Sequence, residues 1–156
     1  MAKNKKVINI TLLVSLLISG YTIWLSQRDV EIVAVHCQGE FSDILVNNFP
    51  VTDRAKIQWW IKNKALLNEK YKIPTPAKDG FFSVTFWSFG EGYKEKEKYD
   101  RLCFSDMKQK ENCIEKDAVF SVSHSKNRGV IFTVYDGKYY TEKNGTTVKV
   151  RGNYSR

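Results

Sequence analysis

From Val7 to Leu25 the chain reads VINITLLVSLLISGYTIWL, nineteen residues without a charge. As a helix rising about 1.5 Å per residue, this run is roughly 28 Å long, close to the roughly 30 Å hydrocarbon core of a bilayer. It predicts one membrane span over 7–25, a short N-terminal segment over 1–6, and a polar domain over 26–156. Lys3, Lys5 and Lys6 precede the run, whereas Arg28 follows it in the company of Asp29 and Glu31. That lysine bias puts the N-terminus in the cytoplasm and the domain outside it. Tyr21 and Trp24 stand at the outer end, where an aromatic ring has one apolar and one wet side. A cleaved signal peptide is the rival reading. It needs a shorter apolar region and small residues before the cut, and a cut after Gly20 would leave Ile18 at the upstream recognition position.

Thr11, Ser15, Ser19, Thr22 and Ser26 recur every three or four residues, so small hydroxyl side chains share one face of the span. Ser15 and Ser19 are the candidates for close approach to another transmembrane helix, whether a partner's or a second copy's. The competing account has each hydroxyl bonding its own helix backbone.

About 130 residues follow the run, enough for one domain with a working core. At 13% of the chain, aromatic residues argue for packing over disorder. The formal charge is +8. Without the three leading lysines, 22 basic residues face 17 acidic ones, a balance of +5. Such a domain suits anionic headgroups or an acidic protein. Nucleic acid is not an expected partner, because the domain lies outside the cytoplasm and its positive charges alternate with acids, as in KEKEKYDR from Lys94 to Arg101.

Three cysteines fit an oxidising compartment. Cys103 and Cys113 close the polar stretch CFSDMKQKENC, and a bridge there would stabilise the fold by roughly 2–3 kcal/mol. Cys37 is left over, as a buried thiol, a bridge to a second chain, or a competitor for pairing. His36, Cys37, Cys103, Cys113 and His124 include metal-ligating types, but nine residues between Cys103 and Cys113 do not match the short spacings of zinc modules. No metal and no cofactor are expected. Nor is catalysis: His124 sits among turn-forming residues, no Gly-x-Ser-x-Gly elbow surrounds Ser121, Ser123 or Ser125, and Gly90 to Gly92 lacks the pattern of a phosphate loop.

Val30 to Val35 reads as a strand leaving the membrane. Glu40 to Asn48 shows no clean periodicity. Thr52 or Asp53 caps a helix running to about Tyr71, with Ile57, Trp60, Ile61, Lys64, Leu67 and Tyr71 on one stripe. Trp59 cannot share the face of Trp60, and as an exposed ring among lysines it is a candidate partner surface, as is Tyr99. Pro74 and Pro76 stop the helix, and Phe81 to Phe89 follows as a central strand. Ala118 to Ser123 and Val130 to Tyr135 alternate at period two and form a hairpin. The Asp136-Gly137 and Asn144-Gly145 turns add strands near 138–142 and 146–150. The expected fold is α+β: a transmembrane helix, then an amphipathic helix packed on a mainly antiparallel sheet that ends in a meander.

The order NNFPVTDRAKIQWWIKNKALLNEKYKIPTP, then FFSVTFWSFGEGYKEKEKYDRLCFSDMKQKENCIEKDAVFSVSHSKNRG, then a DG and an NG turn, resembles a small enterobacterial membrane protein family of unknown function. The resemblance covers nearly the whole chain, and Tyr99 to Asp117 with its two cysteines is its most specific part. It implies an inner-membrane protein with a periplasmic domain, and it carries no catalytic residues. The expected function is a non-enzymatic, membrane-anchored binding domain that recognises an envelope protein, in an inhibitor or immunity-type role. The alternatives are a structural accessory subunit of an inner-membrane complex and an envelope glycan- or lipid-binding module.

Overall fold

A computed structural model describes residues 2–26, 28–97, 100–135, 137–142 and 146–150, and within the first helix the side chains of 7–21. That helix, α1, covers Ala2–Ser26. Its described side chains lie exposed, Leu16 most of all. Among the described residues no helix is long and apolar enough to cross a membrane. The expected span over 7–25 therefore finds no support in the described part of α1. Thr11 and Ser19 donate their hydroxyls to the carbonyls of Val7 and Ser15, so these groups are satisfied within the helix.

The remaining chain builds a seven-stranded sheet. β1 (Glu31–Gln38) and β2 (Phe41–Asn47) form a hairpin whose tight turn uses Gly39 at φ +62°, a left-handed conformation that suits glycine. α2 (Asp53–Tyr71) then crosses to β3 (Phe82–Ser88), which pairs parallel to β2 with Ile44 opposite Phe86. β2 was not expected from the sequence. Its Ile44, Leu45 and Val46 are all buried because both faces of the strand are covered, which removes the alternation that would mark it.

Two short pieces, β4 (Lys94–Glu95) and β5 (Leu102–Cys103), flank β6 (Glu111–Ile114) in a separate small sheet. The large sheet resumes with β7 (Ala118–Ser125), β8 (Gly129–Val134), β9 (Gly137–Thr141) and β10 (Thr147–Lys149), the expected antiparallel meander. Its order is β1-β2-β3-β7-β8-β9-β10. Asp136, Asn144 and Gly145 of the two expected turns lie outside the described residues.

α2 begins where expected. Thr52 is extended and its side-chain oxygen accepts from the Ala55 N–H at 3.3 Å; at the other end Lys72 turns left-handed, its N–H donating to the Asn68 carbonyl and the Ile73 N–H to the Leu67 carbonyl. The buried face differs from the expected stripe. Ile57, Trp60 and Leu67 are buried and Tyr71 half-buried, but Ile61 and Lys64 are exposed and Lys56 is buried in their stead. Lys56 tolerates this because its ammonium donates to the Val119 carbonyl at 2.9 Å. The register between β3 and β7 slips at that point, pairing Trp87 with Ala118, so the bulge presents a carbonyl to the helix. Around α2, Val84, Phe86, Phe120, Val122 and Phe132 form the principal core.

Candidate binding surface

The opposite face of the sheet carries a second cluster of Leu45, Phe104 and Ile114, over which the small sheet is laid. What aims side chains at it is a bulge in β1. The register runs Ile32 to Val46, then Ala34 to Leu45, so Val33 is the extra residue. Without it, Ile32 and His36 would share a face by simple alternation. With it, Ile32 packs toward the helix while His36, opposite Asp43, turns to the second face.

His36 is 8% exposed, and its surroundings use all of the ring. Nδ1 lies 2.8 Å from the Asp106 carboxylate, Nε2 lies 2.9 Å from the Tyr93 hydroxyl, and the ring stacks on Phe104 with centroids 3.8 Å apart. Nδ1–H donating to Asp106 while Nε2 accepts from the Tyr93 O–H satisfies both nitrogens at once. Burial first, and the Asp106 charge second, push the Tyr93 phenol above its ordinary value. Nearby, Trp87 donates its indole N–H to Asp43 at 2.7 Å.

These contacts hold the stretch between the two cysteines. Cys103 and Cys113 are disulfide-bonded, as expected, on paired positions of β5 and β6. Inside the bridge, the Phe104 N–H donates to the Asn112 carbonyl at 2.9 Å and the Asn112 amide returns a bond to the Phe104 carbonyl at 3.1 Å. Phe104 and the half-buried Met107 point inward, whereas Ser105, Asp106, Lys108, Gln109, Lys110 and Glu111 are exposed. A polar, mixed-charge loop is thereby fixed at both ends and in the middle. Its flank carries an ion-pair group: Lys94 bridges Glu91 and Glu115, and Arg101 also reaches Glu115. The Glu115 carboxyl is held below its ordinary value by hydrogen bonds from Lys94, then Arg101.

Cys37 is free and exposed, its Sγ 3.8 Å from the Ser42 hydroxyl. It lines a cleft of about 130 Å³ together with His36, Cys103 and Asp106. Its expected readings as a buried thiol and as a competitor for the bridge are both corrected. His124 belongs to β7 and not to a turn, and it bonds the Gly80 carbonyl through Nδ1 at 2.7 Å, so the two histidines occupy separate places. Among the described residues no group of three or more metal-ligating side chains converges.

The residues singled out in the sequence are dispersed. Trp59 is half-buried on the helix side, its ring 5.3 Å from Phe49 and 5.6 Å from Phe86, which corrects its expected exposure: Phe49 comes up beside α2 and covers it. Tyr99 lies outside the described residues, as do the side chains of Lys3, Lys5, Lys6 and Trp24. Tyr21 is exposed, and Ser15 and Ser19 stand one turn apart on α1. The Asp106–His36–Tyr93 arrangement was not anticipated. Its members are 70 and 57 positions apart, and no spacing rule links them.

Over residues 1–151 the sequence matches the family described as enterobacterial putative membrane protein (DUF943). The chain belongs to that family. The match takes in α1, both sheets and the cysteine loop, so the family is defined by the whole arrangement and not by the apolar run alone. The family is described by its membrane character alone, and its function is unknown. No curated protein and no solved structure matches the chain.

Proposed function

We propose that this chain is a non-enzymatic, single-pass inner-membrane protein, its N-terminus cytoplasmic and its domain over 26–156 periplasmic, that binds an envelope protein through the disulfide-closed loop. The family's membrane character, the uncharged run Val7 to Leu25 and the lysines before it support the anchor. The disulfide supports the oxidising side.

The observation that carries the binding reading is the threefold pinning of residues 104–112 by the Cys103–Cys113 bond, by His36 on Asp106, and by Phe104 stacked beneath it. A loop ordered before it meets a partner loses little entropy on binding. The same contacts argue against acid–base chemistry at His36, whose two nitrogens are occupied and whose face is covered. An inhibitor or immunity-type role fits a small tethered domain, because tethering raises its effective concentration near a membrane target.

The test is in-cell photocrosslinking from a benzoylphenylalanine at Lys108, with trapped species identified by mass. One abundant envelope protein, absent when the probe stands at Lys126 in the distant β7–β8 turn, is the expected result. Equal trapping at both positions, or none, would sink the binding reading. A structural accessory role rests on Ser15 and Ser19, spaced to admit a neighbouring helix. Replacing both with Leu would abolish function on that reading and leave it intact on the first.

A further inference from the structure

A groove of about 360 Å³ opens along the flank of α2 where β1 begins. Asp29, Val30 and Ile32 form one wall; Trp59, Leu66 and Lys70 of α2 form the other. We propose that this groove seats an acidic phospholipid of the bilayer that holds α1, with its phosphate on Lys70 and its apolar part against Trp59 and Leu66. This rests on the anchoring reading above.

Chain length fixes where the groove lies. α1 ends at Ser26, and only Gln27 and Arg28 separate it from Asp29 in the groove wall. Three residue steps span at most about 11 Å. A bilayer's headgroup layer is itself roughly 5–7 Å deep on each side, so Asp29 and the groove wall it begins are held within a few ångströms of the membrane surface. The chemistry of the flank fits that position. Lys62, Leu66 and Lys70 recur at four-residue spacing and are all exposed, Leu66 by 56%, giving a basic–apolar–basic stripe along one helix face. Lysines on such a stripe are attracted to acidic lipid, and the Leu and Trp between them suit the acyl boundary. Lys70 already lies over the Tyr71 ring, 5.1 Å from its centroid, which holds the ammonium at the groove. Asp29 on the facing wall accepts hydroxyl donors, favouring a headgroup that carries hydroxyls beside its phosphate.

The experiment uses the full chain in nanodiscs of phosphatidylcholine alone or of phosphatidylcholine with phosphatidylglycerol, with benzoylphenylalanine at Leu66 or, separately, at Ile18. The expected result is a phosphatidylglycerol adduct at Leu66 that Lys70→Gln lowers about fivefold, the effect of one lysine near an acidic surface. Lipid adducts at Ile18 with none at Leu66 would overturn the groove proposal while leaving the anchor standing. Absence of lipid adducts at both positions would overturn the anchor. Adducts at Leu66 that are insensitive to phosphatidylglycerol, or that join two copies of the chain, would also overturn the proposal.

Discussion

The two faces of the large sheet are covered by different means. On the helix side, α2 seals Val84, Phe86, Phe120, Val122 and Phe132 under Ile57, Trp60 and Leu67, and the order comes from apolar burial. On the other face the buried apolar cluster is only Leu45, Phe104 and Ile114, with buried His36 stacked on Phe104. There the covering pieces are strands of two to four residues, too short to hold by pairing alone, and a covalent bond and buried polar contacts supply the rest. The contrast shows where each kind of residue is needed: a long amphipathic helix brings its own apolar area, whereas a charged, exposed loop must be tied down without it.

Substitutions that cut into one face should therefore leave a signature on that face. Phe86→Ala, at a fully buried ring in the helix-side core, should destabilise by about 3–5 kcal/mol, read as a lowered urea midpoint of tryptophan fluorescence in detergent-held full chain. Protection of amides in the cysteine loop should fall together with the rest, because the loop rests on this core. Replacing both Cys103 and Cys113 with Ala should cost about 2–3 kcal/mol, with faster amide exchange confined to 102–114. Equal loss of protection in α2 would break the distinction drawn between the faces.

His36→Ala should cost about 1–3 kcal/mol through the Asp106 and Tyr93 groups left without their partner and the lost Phe104 stack. Its exchange signature should match that of the disulfide variant and not that of Phe86→Ala. The smallest effect belongs to the exposed ion pairs. Lys94 lowers the Glu91 and Glu115 carboxyls below their ordinary value of 4.5, so their contribution is present above that value and is lost as pH falls through the folded-state value. The Lys94 ammonium is raised in turn, so its contribution is present below its ordinary value of 10.5 and is lost as pH rises through the folded-state value. Between about pH 6 and about pH 3, Glu115→Gln should lose less stability than the unaltered chain, by a small margin that salt reduces further. A larger loss in the variant would mean that the pairs do not act as described.

Local rules carried much of this fold. The Thr52 cap, the extent of α2, β3 and the C-terminal meander follow from capping, periodicity and turn residues, because each depends on neighbours within a few positions. β2 was hidden because a strand covered on both faces does not alternate. The face of α2 was legible only in part, since the bulge at Val119 supplies the carbonyl that lets Lys56 be buried. Trp59 was misread because Phe49, ten positions earlier, packs against it.

The sequence by itself determined the uncharged run, the helix that follows from it, the family, and the pairing of Cys103 with Cys113, all of which rest on contiguous residues or short loops. Only the tertiary structure decided that the extra residue at Val33 turns His36 onto the second face, where Asp106 and Tyr93 meet it from distant parts of the chain. Composition and spacing do not encode that meeting, because one bulged residue reverses the facing of every side chain beyond it.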